Sequence, residues 1–135
     1  MILGPDQEQN VIEILSALST PVVLTIHSDH WDTPGSLAAQ DLIDYTVSLM
    51  PGKISRELAR SGAGSWGDPT LTIRNRDGQV FGVHFVGTPS GLEYRAFIDA
   101  IVASSRPYEI ESTPWGQLLQ EIHHPVHAKI FVSPT

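Results

Sequence analysis

The run Val22-Val23-Leu24-Thr25-Ile26-His27 constrains this chain more than any other feature. It is almost wholly β-branched or apolar and too short for a helix, so it predicts a strand buried on both faces at the centre of a sheet. Such a strand needs helices packed against it, and both flanks supply one. Upstream, Val11, Ile14, Leu15 and Leu18 are three and four residues apart. That spacing gives one apolar face to a helix over Asp6–Leu18, with Pro5 near its start and Asp6 and Glu8 in its first turn. Downstream, Thr33 can cap and Pro34 can open a second helix whose apolar set is Leu37, Leu42, Ile43, Val47 and Met50, ended by Pro51-Gly52.

Ile54–Leu58 reads as a weak short strand, and the Gly- and Ser-rich stretch from Arg60 to Asp68 as a loop. After Pro69, Thr70–Arg74 alternates, Asn75-Arg76-Asp77-Gly78 is a hairpin signal, and Val80–Val86 is the returning strand. Ser90 and Glu93 have the spacing of a capping box for a helix over Leu92–Ala103, with Leu92, Phe97, Ile98, Ile101 and Val102 on its apolar face. The sum is an α/β domain over residues 1–107, a mixed central sheet flanked by helices. In residues 108–135, Thr113 caps Pro114, and Leu118, Leu119 and Ile122 make a short helix. Val126, Ala128, Ile130 and Val132 then alternate with His127, Lys129 and Phe131 as an apolar strand. A helix and one strand do not make a second domain, and an unpaired strand of this kind invites pairing, for instance in a homodimer through the C-terminal strand.

The chain has no cysteine, which excludes disulfides, thiolate nucleophiles, iron–sulfur clusters and dithiol redox chemistry by its own residues. Its formal net charge is −7, with eight scattered Lys and Arg, which argues against binding nucleic acid. No run approaches the length of a membrane span and the N-terminus lacks the basic start and apolar stretch of a signal peptide, so a cytoplasmic protein is expected.

The order helix, strand, helix, weak strand, proline-initiated hairpin, helix resembles a thioredoxin fold, in which the proline before the third strand is typically cis; Pro69 holds that place. Residues 8–105 are similar to the first half of the tandem-thioredoxin proteins. These are the N-terminal domain of the alkyl hydroperoxide reductase flavoprotein subunit and the glutaredoxin-like protein disulfide oxidoreductases. The resemblance rests on Ser19-Thr20-Pro21-Val22-Val23-Leu24, on Asp68-Pro69-Thr70-Leu71-Thr72-Ile73, and above all on Val86-Gly87-Thr88-Pro89-Ser90-Gly91-Leu92-Glu93-Tyr94. The last matches a G-x-P-x-G-x-E-aromatic pattern, with Leu92 where the family usually has His.

The resemblance implies a partner outside this chain. In the family the second thioredoxin unit opens with a helix and an apolar strand ending in Pro-Thr ahead of a C-x-x-C. Leu118-Leu119-Gln120-Glu121-Ile122 and Ala128-Lys129-Ile130-Phe131-Val132-Ser133-Pro134-Thr135 look like that lead-in. Residues 108–135 are therefore expected to begin a truncated second unit. A cut chain, a lost second half, or a selenocysteine UGA codon read as stop each accounts for this. The implied partners are the missing C-terminal half and a peroxiredoxin or other disulfide protein, with no cofactor.

The stretch where a catalytic thioredoxin unit carries its dithiol reads His30-Trp31-Asp32-Thr33-Pro34, a vestigial active-site loop without thiols. His27, Asp29, His30 and Asp32 are metal-ligand types, but they meet no fixed zinc spacing and read as a solvated loop, with no metal expected. His123, His124 and His127 fall at a predicted helix end, where a cationic side chain suits the dipole. Glu93 is the redox-tuning candidate. By resemblance it faces the dithiol of the second half, where burial would raise its pKa; locally it is a capping partner for Ser90. Gly62-Ala63-Gly64-Ser65-Trp66-Gly67 lacks the Lys-Ser/Thr of a phosphate loop and reads as a flexible loop. Trp31, Trp66 and Trp115 read as packing residues, with Trp31 and Trp66 able to share the loop face beside Pro69.

Overall fold

A computed structural model describes residues 3–62, 66–106 and 113–133. The elements are α1 (Pro5–Leu15), β1 (Val22–His27), α2 (Pro34–Leu49), β2 (Ile54–Ala59), β3 (Thr70–Arg74), β4 (Phe85–Val86), α3 (Leu92–Ser104) and α4 (Gly116–Leu119). They form one four-stranded sheet in the order β2-β1-β3-β4. β1 runs parallel to β2 and antiparallel to β3, and β3 runs antiparallel to β4, so the sheet is mixed.

Strand register sorts the side chains into two faces. Val22, Leu24 and Ile26 pair with Ile54, Ile73 and Leu71, which puts these residues and Phe85 on one face. Phe97 of α3 packs edge-on against Phe85, with ring centroids 5.2 Å apart, at the centre of a core shared with Val11 and Leu15 of α1 and Leu42 and Ile43 of α2. Buried Tyr94 ties α3 to α2 through Thr46, the two hydroxyls lying 2.9 Å apart. The other face of β1 carries Val23, Thr25 and His27, next to Thr70, Thr72 and Arg74 of β3, and an Arg74–Glu57 ion pair spans β1 there. β1 is thus the central strand, but its second face is polar where the sequence predicts an apolar one.

Several boundaries differ from expectation for identifiable reasons. α1 stops at Leu15, and a tight turn, with Leu18 N–H donating to Leu15 O at 3.0 Å, still delivers Leu18 to the core. In α2 the inward face is Ser36, Ala39, Leu42, Ile43 and Thr46, while Leu37 is half exposed on the outer side. The strand expected over Val80–Val86 shrinks to β4 and an isolated Arg74–Val80 bridge. The hairpin turn sets Val80 opposite Arg74, whereas β4 sets Phe85 opposite Leu71, so Phe81, Gly82, Val83 and His84 stand against only Thr72 and Ile73 and must bulge.

The capping box expected between Ser90 and Glu93 does not form. Gly91 is the N-cap, at φ +60°, a conformation that suits glycine, and Glu93 N–H donates to the Ser90 carbonyl at 3.2 Å instead. Leu92, expected on the apolar face, is 82% exposed. In the tail α4 is a single turn, so His123 and His124 lie beyond it, and Val126–Val132 is exposed and unpaired rather than a buried strand. A strand forms only when paired along a ladder, and this segment pairs with neither edge of the sheet, β2 or β4. The boundary expected at 107/108, Ala63-Gly64-Ser65 and Pro134-Thr135 lie outside the described residues. Among the described residues no helix is long and apolar enough to cross a membrane.

Candidate functional site

Beyond β1 the chain turns into α2 through a polar lock. Ser28 N–H donates to Ala59 O at 3.0 Å, prolonging the pairing with β2 by one residue and leaving the Ser28 side chain fully buried. Its hydroxyl donates to Asp68 Oδ1 at 2.5 Å, lies 2.8 Å from Ser36 Oγ and accepts from His30 N–H at 3.0 Å. The second oxygen of Asp68 takes the Asp29 N–H at 3.1 Å and faces His30 Nδ1 at 3.2 Å. The Ser28 hydroxyl, then the Asp29 N–H, hold the Asp68 carboxyl below the usual carboxylate range; some loss of hydration opposes this and His30 reinforces it. Thr33 caps α2, accepting from Ser36 N–H at 3.3 Å, and Pro34 occupies the first turn, where a missing N–H costs nothing.

Two more segments meet this turn. The Asp68–Pro69 peptide is cis. A Cβ placed on Gly35 would sit 3.5 Å from Pro69 Cδ, so the first turn of α2 lies against that proline. The Pro69 carbonyl accepts from Gly87 N–H at 2.8 Å, and Thr88 Oγ1 reaches the Gly35 carbonyl at 3.5 Å. The His30–Pro34 loop, Pro69 and the stretch leading to Glu93 therefore converge at one corner of the sheet.

The individual candidates fall differently. His30 is mostly exposed, Asp32, Thr33 and Pro34 are exposed, and Trp31 is half-buried against the core with its carbonyl accepting from Gln40 Nε2 at 3.2 Å. His27 faces Thr72, Nε2 to Oγ1 2.9 Å, away from His30. No group of three or more His, Asp or Glu close enough to hold a metal ion occurs among the described residues. Glu93 is partly exposed in the first turn of α3, and among the described residues no hydrogen bond or ion pair joins its side chain to the lock. Trp66 does not pair with Trp31: its ring lies 6.1 Å from His84 and 5.5 Å from His127, with Lys129 Nζ 5.3 Å from the ring centroid. Desolvation, then the nearby His27, push the His84 pKa down. Asp68, the hub of the corner, enters the sequence reading only as the residue before Pro69; its bond to Ser28, forty residues away, has no local signature.

The Asp68 carboxylate is committed to three donors, Ser28 is buried, and the chain has no thiol to place at the α2 N-terminus.

No family model matches the chain, and no curated protein matches it significantly. Solved structures do. The NTD_N/C domain of alkylhydroperoxide reductase AhpF from Enterococcus faecalis superposes with a TM-score of 0.69 at 24% identity, covering 80% of this chain and 56% of that one. A cysteine-to-alanine mutant of AhpF from the same organism gives 0.70 at 23% identity, covering 81% and 57%. The chain spans a little over half the length of either. The likeness establishes the fold as thioredoxin-like.

Proposed function

We propose that the chain is the non-catalytic thioredoxin-fold half of a thiol–disulfide, or selenol, oxidoreductase, and that it supports an adjacent half bearing the C-x-x-C. The observation that carries this is the corner between the α2 N-terminus and cis-Pro69. In a redox thioredoxin fold that corner presents the dithiol, and here an internal Ser28–Asp68–His30 lock fills it. The match to a domain of an alkylhydroperoxide reductase supports the redox context. Residues 113–133 fit the lead-in to the second unit, since Val126, Ile130, Phe131 and Val132 are exposed apolar side chains without a ladder. In this account Glu93, which has no partner in the described chain, faces the dithiol of the second half, and electrons pass between that dithiol and a peroxiredoxin or other disulfide protein.

One observation favours a self-contained, redox-dead binding module instead: His127 and Lys129 lie over Trp66, near Pro69 in sequence, so an extended segment already has a seat there. Reading the native gene in frame past Thr135 tests the two. A Cys or UGA codon followed by x-x-Cys and a second thioredoxin pattern supports the oxidoreductase half. An ordinary stop with nothing of the kind beyond it supports the module.

A further inference from the structure

We propose that the seat of the tail on Trp66 is a proton-controlled strap, closed at neutral pH and released on acidification. Groups that are, or can become, cationic converge on this half-exposed indole. The His84 ring lies 6.1 Å from it, the His127 ring 5.5 Å, and Lys129 Nζ stands 5.3 Å from its centroid. His84 comes from the bulge before β4, and His127 and Lys129 from the tail, so the indole is the clasp between two segments. Little else holds the tail, since residues 117–133 are exposed along their whole length. The contact is made within the chain and holds under either reading of its function.

With its imidazole neutral, His84 shares the ring with the Lys129 ammonium, which the π-face attracts. A proton on His84 adds a second cation at the same ring. The surrounding charges do not offset it. His27, at the end of β1, is held to Thr72, Nε2 to Oγ1 2.9 Å, and its own charge acts against a proton on His84. Arg74, farther along β3, is paired with Glu57, and Asp68, two residues after Trp66, is taken up by Ser28, Asp29 and His30. Among the described residues no ion pair joins a carboxylate to His84, His127 or Lys129. Desolvation is the larger cause that pushes the His84 pKa down, so the folded arrangement resists the proton and the proton in turn works against the arrangement. The sign follows: the contribution is present above the ordinary value of about 6.5 and is lost as pH falls through the lower folded value.

The test is an NMR titration of the full chain from about pH 8 to about pH 5, following the Trp66 indole N–H and the amides of residues 126–133. The expected result is one transition below about pH 6.5 in which both sets of signals move together, the tail amides toward the positions they take in Trp66→Ala. The Phe97 amide, in the core, should stay in place, which separates release of the tail from unfolding. His84→Gln should keep the tail on Trp66 to the acid end of the range, a gain that misfolding would not mimic. His123→Gln, outside the contact, should titrate as the wild type does. Signals that stay fixed over the range, a transition unchanged in His84→Gln, or a tail that docks more tightly in acid would each overturn the proposal.

Discussion

Ser28 and Asp68, forty residues apart, are joined by a 2.5 Å hydrogen bond that fastens the β1–α2 turn to the residue preceding cis-Pro69. With Ser28 fully buried, the bond works in a dry environment, and both its partners hold further donors or acceptors. Ser28→Ala should therefore destabilise the fold by about 1–3 kcal/mol, because Ser36 Oγ and the His30 N–H lose a partner with it. Urea unfolding measures this, and a midpoint equal to the wild type's would mean that the lock is ornamental.

The pH dependence follows from Asp68. Its carboxyl is held below its ordinary value, so the unfolded chain binds the proton more tightly and stability rises with pH through that window. The contribution is fully present above the unfolded value of about 3.9 and is lost as pH falls through the lower folded value. Thermal midpoints of the wild type and Asp68→Asn should differ at neutral pH and converge in strong acid. A gap that stays constant from neutral to strongly acidic pH would contradict this.

Across the core, the Tyr94 hydroxyl depends on Thr46, which also donates to Leu42 O at 2.8 Å. Burial pushes the Tyr94 pKa up, with the Thr46 hydrogen bond opposing. Thr46→Val leaves a buried phenol without its partner and should cost about 1–3 kcal/mol, whereas adding Tyr94→Phe should recover part of that loss. A double-mutant cycle measures the coupling. Additive single costs would show that the two hydroxyls do not communicate.

Where the tail meets the domain, Lys129 and His127 flank Trp66. Lys129→Ala removes a contact of about 0.5–1 kcal/mol at an exposed site. The Trp66 indole N–H resonance should shift, and amide exchange across residues 126–133 should quicken. An unmoved Trp66 signal would show that the tail does not rest on this ring.

Much of the fold was legible because pattern and turn chemistry agreed. The central β1, the Asn75–Gly78 turn and the Thr33–Pro34 helix start each carry a local signal. What failed was decided by geometry that is not local. The bulge at 81–84 comes from a register mismatch between the turn and β4, and the exposure of Leu37 and Leu92 from where each helix meets the sheet. The apolar alternation of 126–132 predicts a strand, but a strand forms only against a ladder. At the corner, the Thr33–Pro34 helix start is a local signal, whereas the Ser28–Asp68 bond exists only once β3 is laid beside β1.

The most direct test of the central claim is the intact mass of this protein purified from its native source under non-reducing and reducing conditions. The account predicts a polypeptide well above 14.7 kDa that contains a C-x-x-C or selenocysteine-bearing thioredoxin unit contiguous with residues 113–133, and that gains two hydrogens on reduction. A native species of 14.7 kDa, unchanged by reductant, would contradict it and leave a self-contained binding module.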